Sequence, residues 1–397
     1  MNNSSTTANA STWAETGFVI DMGSLYSYFA RMTDERQARG KRYTLAQICV
    51  LAVLAKLSGE DRPLGIAEWV RARHEILGGV LNLTKGTPCH NTYRRVLGEG
   101  VSTTNFQEQV SAFLQEQVCT GQSVLIAIDG KTMRGTITTG TNQGVHLLAA
   151  YLPAEGVVLA QVAVEKKENE IVAAPKLLAK LDLRGKIVMG DAMHTQRGVS
   201  KQITEAGGDY IWLVKDNQPQ LRNDIESCFQ PETHVKGFSP VPKDFQTAPS
   251  NNKNHGRREE RTLTTSSLLN DYLDWPNVGQ VFKIERRSVN TKTGEVRHET
   301  CFGITSLTAD KADAKRINSL VRQYWGIENG LHYRRDKSLL EDATRISNPN
   351  LAQNMATINN LVVALIRRQG WRYLPEARRF YDGSLHAALD LVVRVHP

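Results

Sequence analysis

The sequence predicts a mixed α/β domain that is interrupted by a β-rich insertion and preceded by an all-helical N-terminal domain. Three observations carry this reading. Up to about residue 120 the apolar positions fall at helical spacing. At Ser123 the chain changes to short apolar runs of strand length that alternate with helical segments. From about Glu232 to Leu307 turn residues and alternating strand candidates dominate, and helical spacing then returns.

The elements follow in order. Residues 1–20 form a polar leader whose start, MNNSSTTANA, lacks the basic and apolar stretches of a secretion signal. Residues 21–120 form the helical N-terminal domain. Its strongest helix runs from Leu45 to about Leu57, and Thr44 is placed to cap it. Further helices begin near Leu64, after Pro88 and at Thr103. SVLIAIDG, GVHLLAAYLP and GVVLAQVAVEKK read as three strands, the last two joined by Ala154-Glu155-Gly156, a hairpin signal. Ile171–Leu181 reads as a helix, GKIVMGDAM as a buried strand, Gln196–Ala206 as a helix and DYIWLVKDN as a fifth strand. Three strands, helix, strand, helix, strand is the order of the RNase H-like fold. Residues 121–231 are thus the first part of that core and 232–307 the insertion. Residues 308–370 are the second part, with one long helix from about Lys311 to Lys337 and another over Leu351–Arg368. Residues 371–397 read as a C-terminal tail.

Composition narrows the function. With 40% hydrophobic and 23% charged residues, wholesale disorder is excluded. No apolar run reaches 18 residues, so a membrane-spanning helix is not expected, and the location expected is the cytoplasm. The net charge of +8 is compatible with a polyanionic partner without being diagnostic of one. The five cysteines are scattered, and no pair has zinc-ligand spacing.

The acids carry the chemistry. Asp129 ends the first core strand and Asp191 ends the fourth. In an RNase H-like sheet those strands are neighbours, which brings two carboxylates within metal-bridging distance. Like charges that close repel unless a cation neutralises them, and Mg²⁺ prefers oxygen ligands. One Asp before Gly starts a turn as readily as it binds a metal; two after buried strands favour a site. Periodicity singles out a third acid. Ile317, Leu320, Val321, Tyr324 and Leu331 share one helix face, and Glu328 falls near the centre of that stripe. A carboxylate there needs a cation, strong hydrogen bonds or a buried arginine partner. Glu341 and Asp342 are the runners-up. His194 and His332 lie near two of the acids, as water-orienting groups or hydrogen-bonded spectators. Three carboxylates around two Mg²⁺ ions, with Mn²⁺ as a substitute, suit phosphoryl transfer in DNA.

IAIDGKTMRGT, GDAMHTQ, YIWLVKDNQ, NHGRREER and YWGIENGLHYRRDKSLLED resemble the successive blocks of bacterial DDE insertion-sequence transposases, in the H-repeat-associated protein group. RQARGKRYTLAQICVLAVLA, GIAEWV and PCHNTYRRVL resemble the N-terminal domain associated with that group. The resemblance covers roughly residues 20–370 and implies a DDE triad of Asp129, Asp191 and Glu328. It implies an enzyme that binds double-stranded DNA at its element's ends, as a homodimer, then cleaves and joins strands. Around the third acid, related families carry Tyr, Arg, Glu and Lys where this chain has Val321, Tyr324, Glu328 and Arg335. The alternatives are a non-catalytic DNA-binding remnant and a nuclease without strand transfer. Candidate DNA contacts are Arg36, Arg39, Lys41 and Arg42 before the apolar helix, Lys131 and Arg134 after Asp129, and Lys215 after the fifth strand. Arg257 and Arg258, beside His255 in the insertion, and Arg335 complete the set. For each, solvated surface charge is the plainer alternative.

Overall fold

The computed structural model describes residues 12–13, 19–20, 23–39, 41–118, 121, 123–165, 168–230, 243–254 and 256–393. Most of the polar leader, the start of the insertion at 231–242, and His255 lie outside the described residues.

A nine-stranded sheet organises the chain, and a separate two-stranded pair joins Thr12–Trp13 to Val19–Ile20. Its strands are β1 (Val124–Thr132), β2 (His146–Leu152), β3 (Val157–Val164), β4 (Lys186–Gly190), β5 (Asp209–Val214), β6 (Gln246–Asn254), β7 (Arg257–Ser266), β8 (Gln280–Asn290) and β9 (Val296–Thr305). The order across the sheet is β3-β2-β1-β4-β5-β9-β8-β7-β6. The first five have RNase H-like topology: β2 is antiparallel to both β1 and β3, while β1, β4 and β5 run parallel. The insertion does not form a lobe of its own. β9 pairs antiparallel with β5 from Phe302↔Val214 to Thr305↔Ile211, so its four strands extend the same sheet.

Six helices precede the sheet: α1 (Leu25–Ala30), α2 (Leu45–Leu57), α3 (Pro63–Ala72), α4 (His74–Val80), α5 (His90–Arg95) and α6 (Thr103–Gln117). α2 starts as expected at Thr44, whose hydroxyl accepts from the Gln47 amide while the Gln47 side chain accepts from the Thr44 amide. Within the sheet-bearing half lie α7 (Glu170–Leu178), α8 (Arg197–Glu205), α9 (Pro219–Cys228), α10 (Ala314–Tyr324) and α11 (Pro349–Arg368). The N-terminal helices do not keep a core to themselves. α11 packs on α2, α6 and β3, and one hydrophobic cluster runs from Leu25 through Ile358 to Val393.

Two readings need correction. The segment expected as a tail is folded over its described residues, 371–393: α12 (Leu374–Gly383) and α13 (Leu385–Val393) pack on α2. Their apolar residues Ala377, Tyr381, Ala388 and Leu389 are buried. The long helix expected over 311–337 is α10 followed by two π-helical segments, Glu328–His332 and Arg334–Ser338.

Side-chain alternation sorts the sheet's two faces. Leu125 and Ala127 of β1, with Ile187 and Met189 of β4, pack under Ile317, Leu320, Val321 and Tyr324 of α10. Ile126, Ile128 and Val188 face the other way, into the larger cluster. The candidate site sits at the edge of the α10 face.

Candidate active site

β1 and β4 position the first two acids through register and alternation together. The parallel pairing aligns Ala127 with Met189. Two residues further along each chain stand Asp129 and Asp191, on strands spaced by about 4.8 Å. The same two-residue step keeps both on the face that α10 covers. Asp129 lies within β1, which continues to Thr132 rather than ending at the acid. Asp191 is the N-cap of the 3₁₀ turn Ala192–His194, and its Oδ1 accepts from the Met193 amide at 3.0 Å.

Glu328 arrives differently from the expectation. It is exposed rather than buried in the apolar stripe, because the regular helix ends at Tyr324 and Ile327 takes the core position beside it. The π-helical turn that begins at Glu328 brings two of its residues to Asp129. One ligand atom from each of Asp129, Glu328 and His332 lies within 4.8 Å of the others. His332 Nε2 is 3.1 Å from Asp129 Oδ2, and its ring is buried with Nδ1 lacking a partner among the described residues. Asp191 stands outside that tight group. The buried phenol of Tyr324 is raised well above the usual tyrosine range, first by burial and then by the negative charge of Asp129, Asp191, Glu170 and Glu328. Glu341 and Asp342 are engaged elsewhere: Glu341 is buried on Arg335, and Asp342 lies beside Lys131 and Arg134.

The reading from sequence missed Glu170. Its Oε1 is 2.8 Å from His146 Nε2 and its Oε2 is 3.2 Å from His194 Nε2. His146 Nδ1 in turn meets the Thr132 hydroxyl at 2.7 Å. Burial raises the Glu170 carboxyl, but the two imidazoles outweigh it and hold the pKa down at about 2. This clamp ties β1, β2 and the turn after β4 together directly behind the acids. Glu170 lies just before the helix expected at Ile171, and its two partners, 24 residues away on either side, carry no local signal.

The basic candidates divide. Arg335 is a correction: it is fully buried, and its guanidinium donates three hydrogen bonds of 2.8–3.1 Å to Glu341, out of reach of a phosphate. Lys131 is nearly buried, with Nζ 2.7 Å from Asp336 and 3.4 Å from Asp342. Arg36 and Lys41 both fold onto Asp34, whose carboxyl they hold down at about 2, with the Arg36 hydrogen bond the largest cause. Arg39 and Arg42 of the same loop are exposed. Arg134 and Lys215 are exposed beyond the ends of β1 and β5, and Arg257 is exposed on β7. Arg258 is exposed too, with Glu260 at 3.4 Å.

Residues 120–365 match the family model described as Transposase DDE domain, and residues 26–114 match DDE_Tnp_1-associated. The chain is 30% identical over 361 residues to "Putative transposase YncI" of Escherichia coli O157:H7, covering 88% of each. It is 26% identical over 356 residues to "H repeat-associated putative transposase YhhI" of Escherichia coli K12, covering 87% of this chain and 91% of that protein. A third relative, "Uncharacterized protein in dhlA 3'region" of Xanthobacter autotrophicus, is 34% identical over 71% of this chain and 94% of its own. With its RNase H-like sheet and a match to the family model over residues 120–365, the chain belongs to the transposase DDE domain family.

Proposed function

We propose that this protein is a DNA transposase that binds the ends of its own element, cleaves phosphodiesters there and joins the freed 3′-hydroxyls to target DNA. The observation that carries the reading is the grouping of Asp129, Glu328 and His332 within 4.8 Å of one another, next to the end of the neighbouring strand β4 that leads into Asp191. The donor set suits a divalent cation. Two carboxylates and an imidazole offer ligand atoms within 4.8 Å, and Glu328 leaves the group open to solvent and substrate. Asp129, Asp191 and Glu328 would hold Mg²⁺, with two ions as the expected complement. Mn²⁺ accepts imidazole more readily and would substitute. When bound, such cations activate the attacking oxygen and stabilise the leaving oxygen.

The chain's own residues do the rest. Asp129 is held by the pairing of β1 with β2 and Asp191 by its cap of the 3₁₀ turn after β4, while the Glu170 clamp braces β1, β2 and that turn. In cleavage, water attacks phosphorus in line and the bond to the 3′-oxygen breaks, leaving a 3′-hydroxyl and a 5′-phosphate. In joining, that 3′-hydroxyl attacks a target phosphorus and displaces the target's 3′-oxygen. Both steps share one geometry, so one site serves both. Two ends must meet for joining, so the working unit is a homodimer on DNA.

The test uses supercoiled plasmid carrying the element's own ends, with Mg²⁺. Asp129→Ala, Asp191→Ala and Glu328→Ala are each expected to abolish nicking and joining while end binding survives. Near-normal joining by any of the three would remove that residue from the triad. Nicking by the wild type without joining would identify a nuclease. Binding with neither activity would identify a non-catalytic remnant.

A further inference from the structure

A second basic feature lies away from the acids. A cleft of about 960 Å³ opens between the start of α3, the start of α5 and the loop 343–348 that leads into α11. Arg62, Arg94, Arg95 and Arg345 line it with His90, against one acid, Glu99. All four arginines are exposed. The side chains of Arg62, Arg94 and Arg95 make no hydrogen bond or ion pair among the described residues. Arginines gathered in a concave wall without carboxylate partners raise the local potential and favour a polyanion.

The cleft is joined to the acid site through the backbone. Beyond β1, Gly135 packs so closely on the loop that an added Cβ would stand 2.1 Å from the Thr344 carbonyl oxygen. The Ile346 amide donates to the Gly135 carbonyl at 3.1 Å, and Arg345 Nη1 donates to the Ile137 carbonyl at 3.0 Å. The segment that leaves Asp129 therefore builds the cleft's wall, with exposed Arg134 on the way. The first turns of α3 and α11 also border the cleft and add partial positive charge.

We infer that this cleft is a DNA-binding surface, in which Arg62, Arg94, Arg95 and Arg345 hold the phosphate backbone of the duplex whose neighbouring stretch lies at Asp129, Asp191 and Glu328. The inference rests on the transposase reading and deepens it: it names the surface that sets the DNA's path. It also separates this surface from the loop of Arg36 and Lys41, where Asp34 consumes half of the charge.

Cys89 supplies a probe inside the cleft. It is exposed, and the Thr92 hydroxyl 3.4 Å from its Sγ lowers the thiol's pKa. The full-length protein is treated with iodoacetamide at low salt, with and without a duplex of mixed sequence about thirty base pairs long. Modification at Cys89 is followed by peptide mass spectrometry, and duplex affinity is measured in parallel across salt concentrations. Saturating duplex is expected to slow Cys89 modification at least tenfold. The Arg62→Ala/Arg94→Ala/Arg95→Ala variant is expected to lose that protection and to flatten the salt slope by roughly 0.9 per lost contact. The corresponding triple Lys variant keeps the charge and is expected to keep the slope. If the duplex binds while Cys89 reacts at its free rate and the Ala variant's slope is unchanged, the cleft is not the binding surface, although the DNA reading stands. If the Lys variant fails as the Ala variant does, an interaction through charge is overturned. If the wild type binds no duplex at all, the transposase reading fails and takes the cleft with it.

Discussion

At Gly130 there is no room for a side chain, since a Cβ would stand 2.1 Å from Glu170 Oε1. Gly130→Ala must therefore displace either the Glu170 clamp or the strand that carries Asp129, and is expected to cut cleavage at least tenfold in the plasmid assay. Unchanged cleavage would show that the clamp does not set the acid's position. The clamp also has a signature in pH. The folded pKa of Glu170, about 2, lies below its ordinary 4.5, so its contribution to stability is complete above about pH 4.5 and is lost as the pH falls towards 2. Glu170→Gln removes that contribution. The stability gap between wild type and variant, read by urea denaturation, is expected to shrink across that window. A gap that stays constant from pH 5 to pH 2 would contradict the assignment. Asp129 and Asp191 stand out in the sequence because each follows a buried apolar run. Glu170 does not, because its meaning depends on two histidines that only the sheet brings near.

The elements show where periodicity succeeds and where it stops. Ile317, Leu320, Val321, Tyr324 and Leu331 are all buried, as their spacing requires. The same spacing places Glu328 in the core only if the helix keeps 3.6 residues per turn. The two π-helical segments break that rule, and such turns are frequent at functional sites. The second of them is anchored by Arg335, whose buried guanidinium meets Glu341, while the Asn359 amide of α11 donates to the same carboxylate at 2.8 Å. Arg335→Ala would strand that carboxylate and is expected to cost about 3–5 kcal/mol. An Arg335→Met/Glu341→Leu double variant is expected to lose less than the single variant, because neither charge is left alone. Guanidinium denaturation compares the two, and equal losses would mean that the pair does not act as a unit. α9 and β6 escaped the sequence for separate reasons. The short helix α9 buries only Leu221 and Ile225, and β6 is a polar strand at the sheet's edge that includes Pro249, where composition gives little signal.

Across the whole molecule, the helical half and the sheet half are one packed body around α11. The five-strand order was legible from apolar runs and turns, since each strand is short, buried and bounded. The extension of the sheet by the insertion was not, because pairing between β5 and β9 joins segments about 90 residues apart and leaves no local trace. The C-terminal helices were misread for the opposite reason: α12 and α13 are short and amphipathic, and their partners are N-terminal. Arg378 of α12 reaches Asp61 at 2.9 Å and the Lys56 carbonyl at 3.0 Å, in a buried network with the Lys56 ammonium. A chain ending at residue 370 is expected to unfold at a lower temperature and less cooperatively, read by calorimetry, and an unchanged transition would show α12 and α13 to be dispensable. In the proposed function Asp129, Asp191 and Glu328 together seat the divalent cation. Anomalous diffraction from crystals grown with Mn²⁺ tests this most directly. The account predicts a peak bounded by those three carboxylates, lost in Glu328→Ala. A peak held by the aspartates with Glu341 or Asp342, while Glu328 points into solvent, would contradict it.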